Sequence, residues 1–168
     1  MLDIYNSEAR AYQTLPSYFK KTLNVLASPP FYTKYHILPT GATIPSKIHR
    51  NPKFFPYFQH AIGAIDGSHI PVSAPANLHA VYRNRKGFLS QNALFVCDFD
   101  LKFTYTLTGW EGSATDARVF EDASTTDLYI PPGKFLLADA GYPLRRNLLV
   151  PYRGVRYHLA EWGRASAR

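Results

Sequence analysis

Two aspartates carry the chemistry that this sequence suggests. Asp66 follows the apolar run Ala61-Ile62-Gly63-Ala64-Ile65 and precedes Gly67-Ser68-His69-Ile70. Asp139 follows Phe135-Leu136-Leu137-Ala138 and precedes Ala140-Gly141-Tyr142-Pro143. In both places a short apolar strand is expected to deliver one carboxylate into a Gly-containing turn. A charge at the end of a buried strand needs compensation. Two such charges side by side in a sheet form a seat for a hard divalent cation. The corresponding chemistry is metal-assisted reaction at phosphate. The plain alternative is that each aspartate caps a turn, because Asp-Gly is itself a common turn pair. The pattern alone leaves both readings open.

Other polar residues lie close by in sequence. His69 follows Asp66 by three residues and is either a neighbour that orders the carboxylate or a partly buried, hydrogen-bonded histidine. Glu111 and Asp116 flank the start of an expected helix and could reach the site from behind the two aspartates; a plain helix-start role suits Asp116 equally well. Asp98 and Asp100 read as hairpin-turn residues. The histidines show no ligand spacing such as H-x-x-x-H, so zinc is not expected.

The elements that must position these residues follow from pattern. Ser17 to Ala27 has Phe19, Leu23 and Leu26 on one helical face with Ser17 as a cap, and Pro29-Pro30 ends it. Residues 31–53 are rich in Pro, Tyr and basic groups without periodicity and read as an irregular connector. Residues 61–65 read as a buried strand, and two prolines interrupt 71–75. Residues 92–96 and 103–107 are apolar, β-branched and aromatic, and Asp98 to Lys102 between them makes a hairpin. A helix is expected over 117–123, capped by Ser113 or Thr115. Pro131-Pro132-Gly133 then breaks the chain before a strand at 135–138, and the sequence beyond Tyr142 is basic and loop-like. This order implies a mixed sheet, with an antiparallel hairpin and a parallel return through the helix. Ligands gather outside the carboxyl ends of parallel strands, where both aspartates would sit.

Bulk composition bounds the class. A chain of 168 residues with 46% hydrophobic and 15% aromatic residues is expected to bury a core and is not a disordered tail. A formal charge of +7 favours a polyanionic partner over an acidic one. A single cysteine, Cys97, excludes an intrachain disulfide framework and multi-cysteine zinc modules, and its strand context suggests a core position. The sequence has neither a membrane-span-like run nor a signal-peptide pattern at Met1-Leu2-Asp3-Ile4-Tyr5, so a soluble, intracellular protein with no membrane partner is expected. The aromatic stretch 54–58 reads as core rather than as a base-stacking platform.

Four blocks, taken together and in order, resemble the PIF/Harbinger-type transposases and the nucleases derived from them. They are Ile62 to Ile70; Tyr82-Arg83-Asn84-Arg85-Lys86-Gly87 with Gly109 to Phe120; Leu137 to Pro143; and Pro151-Tyr152-Arg153-Gly154-Val155-Arg156-Tyr157-His158. The resemblance spans roughly residues 45–163.

It implies an α/β fold of the ribonuclease H-like type, a mixed sheet with flanking helices, and a DDE active site. Asp66 and Asp139 take the places of its two catalytic, metal-binding aspartates, with Mg²⁺ or Mn²⁺ as cofactor. The family's third acid, a glutamate on a later helix, has no counterpart here, and Glu161 lies before its position, so the C-terminal catalytic helix is read as missing. The implied organisation is a helical remnant and connector at 1–45, a partial nuclease domain at 46–163 and a divergent tail at 164–168. Arg83, Arg85 and Lys86, with Arg145, Arg146, Arg153 and Arg156, are then candidates for DNA-backbone contact, the alternative being a solvated charged face. The implied function is metal-dependent DNA cleavage in the nucleus (or also in the cytoplasm), impaired by the absent acid. A separate DNA-binding protein partner is expected from the family. The alternative is a catalytically inactive DNA- or partner-binding remnant.

Overall fold

The structure is a computed structural model describing the backbone of residues 2–152 and the side chains of residues 14–152. It divides into two compact units, Met1–Ile37 and Leu38–Arg168. The first holds α1 (Leu2–Leu26) and α2 (Phe31–Tyr35). The helix starts well before the expected Ser17 and runs through Pro16. A single proline removes only one N–H of the ladder, so a long helix tolerates it. Pro29 and Pro30 fall between the two helices, as expected.

The second unit contains α3 (Ser46–His49), β1 (Ala61–Pro71), α4 (His79–Tyr82), β2 (Ser90–Cys97), β3 (Phe103–Glu111), α5 (Asp116–Thr126), β4 (Phe135–Leu137) and β5 (Leu148–Leu149). The region read as an irregular connector therefore carries the short helices α2 and α3. The five strands form one mixed sheet in the order β3-β2-β1-β4-β5. β1, β2 and β3 pair antiparallel, whereas β1 with β4 and β4 with β5 are parallel. The expected hairpin and the parallel return through α5 are both present. Strand β5 falls in the stretch read as loop, where two residues are too few to leave a periodic signal.

One expectation fails in an informative way. Asp66-Gly67 is not a turn: β1 continues through it, with Asp66 opposite Phe95, Gly67 opposite Leu94, and pairing that lasts to Pro71 opposite Ser90. Eight consecutive pairs with β2 outweigh the local turn preference of Asp-Gly. Asp66 still uses its side chain locally, with the Gly67 N–H donating to Oδ1 at 2.8 Å.

The core lies between the sheet and α5. Thr115 caps this helix, its side chain accepting from the Arg118 N–H. The helix then buries Val119, Phe120 and Ala123 against Ile65, Leu94, Val96 and Leu136. These are odd positions of β1 paired with even positions of β2, as the two-residue strand period requires. Each large side chain so buried contributes about 1.5–3 kcal/mol. Residues 45–60 form a second apolar cluster, in which Ile48, Phe54, Phe58, Phe99 and Leu137 line a cavity of about 240 Å³. Phe54 and Tyr57 nevertheless stay exposed, so the aromatic stretch is only partly core. Cys97 is half-buried. Asp98 holds the hairpin turn, its Oδ1 accepting from the N–H groups of Asp100 and Lys102.

Candidate metal centre

Asp66 and Asp139 are brought together by strand register. The parallel pairing of β1 with β4 ends at Ala64 opposite Leu137, and each aspartate lies two residues further on. Among the described residues β1 has no strand neighbour on this side beyond that point, and β4 gives way to a turn. The Asp139 carboxylate shapes that turn, with the Gly141 N–H donating to Oδ1 at 2.8 Å. Tyr142 then folds back into the core, fully buried and edge-on to Phe120.

A third carboxylate lies against β1 on the face covered by α5. Asp116 begins α5, and the Asn92 side chain donates to its Oδ1 at 2.8 Å. The same Asn92 amide donates to the Ala114 carbonyl at 3.0 Å. Asp116 also lies against the α-carbon of Gly67, where a Cβ would come 2.0 Å from Oδ1. Only glycine allows this approach.

The electrostatics reflect the grouping. The Asp66 carboxyl is raised above its ordinary value, first by burial and then by the charges of Asp139 and Asp116; its bond from Gly67 acts in the opposite sense. Burial, followed by the charges of Asp116, Asp66 and Asp139, also pushes the Tyr142 phenol up and keeps it protonated. Each of the three carboxylates has Oδ1 engaged, whereas no Oδ2 has a donor among the described residues. In this arrangement no group of three His, Cys, Asp or Glu side chains among the described residues is closed tightly enough to hold an ion. Carboxylate oxygens such as those of Asp66 and Asp139 are the donors that suit Mg²⁺ or Mn²⁺.

The remaining candidates divide. His69 is hydrogen-bonded to Ser90 through Nδ1 at 3.0 Å, so its ring serves the strand pair rather than a carboxylate. Glu111 ends β3, half-buried, and its carbonyl accepts from the Ala114 N–H. Arg83 is exposed, with Nη1 donating to the Gly87 carbonyl of its own loop at 2.7 Å. Asn84 organises that loop, accepting from the N–H groups of Lys86 and Phe88 and donating to Ser90. Arg85 and Lys86 are left exposed on it. Arg145 pairs with Glu121 at 3.4 Å, while Arg146 is exposed. Arg153, Arg156, Glu161 and the 164–168 tail lie outside the described residues. Sequence reading missed Asn92, Gly67 and Tyr142. Only Asn92 had a signal, as an amide at the head of the apolar run Ala93-Leu94-Phe95-Val96.

Comparison with known proteins places this arrangement in context. The DDE superfamily endonuclease profile matches residues 65–166, more than half of the chain. The rat protein named "Putative nuclease HARBI1" is 36% identical over 93 residues, covering 54% of this chain and 27% of its own length. The human protein of that name is 32% identical over the same shares. An Arabidopsis thaliana protein named "Protein ALP1-like" is 29% identical over 111 residues, covering 55% of this chain and 27% of its own. The chain thus spans about a quarter of the length of these relatives. No solved structure matches significantly.

Proposed function

From the premise that this chain belongs to the DDE superfamily endonucleases, we propose that Asp66 and Asp139 bind divalent metal in a nuclease that cleaves DNA phosphodiester bonds. Endonucleases of this superfamily generally use divalent metals. The observation that carries the reading is the register, which sets both aspartates two residues past the same parallel pair. The resemblance to Harbinger-type nucleases and the strand order β3-β2-β1-β4-β5 support a ribonuclease H-like arrangement.

The donor set fits a hard divalent ion: carboxylate oxygens with one oxygen each to spare, beside a half-buried strand edge. When bound, the metal would supply charge stabilisation at the phosphate and an activated attacking oxygen. The protein's own part is positional. Gly67 and Gly141 hold one oxygen of Asp66 and of Asp139, and the other oxygen of each would be left for a metal. Arg85, Lys86 and Arg146, exposed and basic, would hold the DNA backbone without reading its sequence. The positive charge and the family resemblance support a nuclear site of action and a separate partner that supplies sequence-specific DNA binding.

The test is cleavage of supercoiled plasmid with Mg²⁺ or Mn²⁺ by the purified protein beside Asp66→Ala and Asp139→Ala. Metal-dependent nicking lost in both variants is expected, with a fall of about 10²–10³ in rate for each. Nicking that survives both substitutions, or that ignores EDTA, would overturn the assignment. DNA binding without cleavage, unaffected by either change, would leave the chain a binding protein.

A further inference from the structure

We infer that the loop between Arg83 and Leu89 is a preformed clasp for the DNA backbone, and that Asn84 is the positioning residue that shapes it. The inference rests on the DNA-contact reading of Arg85 and Lys86 and needs no metal.

The loop is tied from inside. Arg83 and Leu89 bridge antiparallel at its neck. Between them Asn84 alone is buried, at 5% exposure. Its side-chain oxygen accepts from the Lys86 N–H at 2.9 Å and from the Phe88 N–H at 3.3 Å, which uses both lone pairs. Its main chain closes the same turn. The Asn84 N–H donates to the Phe88 carbonyl, and the Gly87 N–H donates to the Asn84 carbonyl. Gly87 stands at φ +88°, where a side chain would be strained. With the amides of Asn84, Lys86, Gly87 and Phe88 all engaged internally, the loop has a fixed shape.

It is also tied to the sheet. Asn84 Nδ2 donates to Ser90 Oγ at 3.0 Å, and the fully buried Ser90 is hydrogen-bonded to His69 Nδ1 at 3.0 Å. His69 belongs to β1, the strand that carries Asp66. Pro71, which ends that strand, lies opposite Ser90 and about 17 Å along the strand from Asp66. One strand of B-DNA advances about 3.4 Å per phosphate, so the clasp is spaced roughly five phosphates from the strand-end aspartate.

The charges that this framework presents are uncompensated. Arg85 and Lys86 are adjacent and exposed, and their side chains have no acceptor among the described residues. No Asp or Glu occurs between Asp66 and Asp98. Like charges held side by side repel, and a bound phosphate removes that penalty. A mere connector has no need of such order, since exposed loops tolerate mobility and change. A phosphate clasp does need it, because a loop that is already ordered lowers the entropy lost on binding.

The test is binding of a short fluorescent duplex in EDTA, read by anisotropy over a salt series, with the folding of each variant checked by urea unfolding. Asn84→Ala keeps every charge but frees the loop. The expected result is a fall in affinity of about tenfold at each salt concentration, with the slope of log K against log salt unchanged, because the same phosphates are met once the loop orders. Arg85→Ala, by contrast, should lower that slope by about 0.9. Wild-type affinity in folded Asn84→Ala would overturn the inference. A wild-type slope in both Arg85→Ala and Lys86→Ala would also overturn it, and would leave DNA binding to another surface. Absence of salt-sensitive binding by wild type would overturn the inference and the DNA-contact reading together. Should Asn84→Ala fail to fold, Ser90→Ala removes the tie to β1 and retains the bonds inside the loop. A several-fold fall at unchanged slope is then expected, and unchanged affinity would overturn the inference.

Discussion

Asp66 and Asp116 meet at one residue: the Gly67 N–H holds Oδ1 of the first at 2.8 Å, and the bare Gly67 α-carbon accommodates Oδ1 of the second. Gly67 lies inside β1, opposite Leu94, rather than in a turn. Its lack of a side chain is thus used for close approach of a helix start to a strand. The Asp66 carboxyl is raised first by burial and then by the charges of Asp139 and Asp116.

That raised carboxyl makes stability depend on pH. The folded protein keeps the Asp66 proton to a higher pH than the unfolded chain does, so folding is favoured below the ordinary carboxylate range. The benefit fades as pH rises through the raised value. In metal-free buffer, Asp66→Asn should match wild type near pH 3 and exceed it near pH 7. Solvent screening keeps the gain small. Urea unfolding across this range checks the sign, and a variant less stable than wild type at neutral pH would contradict it.

Gly112 joins the basic loop to the end of β3. A Cβ there would lie 2.4 Å from the Tyr82 carbonyl and 2.6 Å from that of Ser90, both backbone atoms that cannot step aside. Gly112→Ala should cost about 2–3 kcal/mol, seen as a lower urea midpoint at unchanged slope. A loss below about 0.5 kcal/mol would mean that the loop is less tightly fastened than its contacts indicate.

Thr115 caps α5 through its hydroxyl, which accepts from the Arg118 N–H at 3.3 Å. Thr115→Ala should destabilise by about 1 kcal/mol, and Thr115→Ser should recover most of it.

The basic loop separates arginines by role. Arg83, Arg85 and Lys86 are all exposed, but the Arg83 guanidinium is engaged with the Gly87 carbonyl, whereas the side chains of Arg85 and Lys86 have no such bond among the described residues. DNA affinity measured by fluorescence anisotropy across a salt series should show this. Arg85→Ala and Lys86→Ala should each reduce the slope of log K against log salt by about 0.9. Arg83→Ala should leave the slope unchanged and lower the melting temperature. Equal slopes for wild type and all three variants would place the DNA contact elsewhere.

Much of this was written locally. The hairpin of β2 and β3 follows from two β-rich runs around a short polar turn, and the α5 boundaries follow from a capping threonine and an apolar stripe at Val119, Phe120 and Ala123. The Asp139 turn follows from Asp-Ala-Gly. Each signal involves residues within a few positions of one another, so propensity and periodicity alone express it. Motif order also marked Asp66 and Asp139 as a pair. The course of β1 through Asp66-Gly67 was not legible, because the local turn preference is overridden by pairing with β2, more than twenty residues away in sequence. The same holds for Asp116, which pattern left as a helix-start residue with an open second role. Its contact with the sheet depends on Gly67 having no side chain and on Asn92 sitting one strand over. Sequence by itself determined which residue types were available for the site and which short elements would carry them. Only the tertiary structure decided which carboxylates meet, because that depends on strand register and on contacts between residues far apart in the chain, which no local preference encodes.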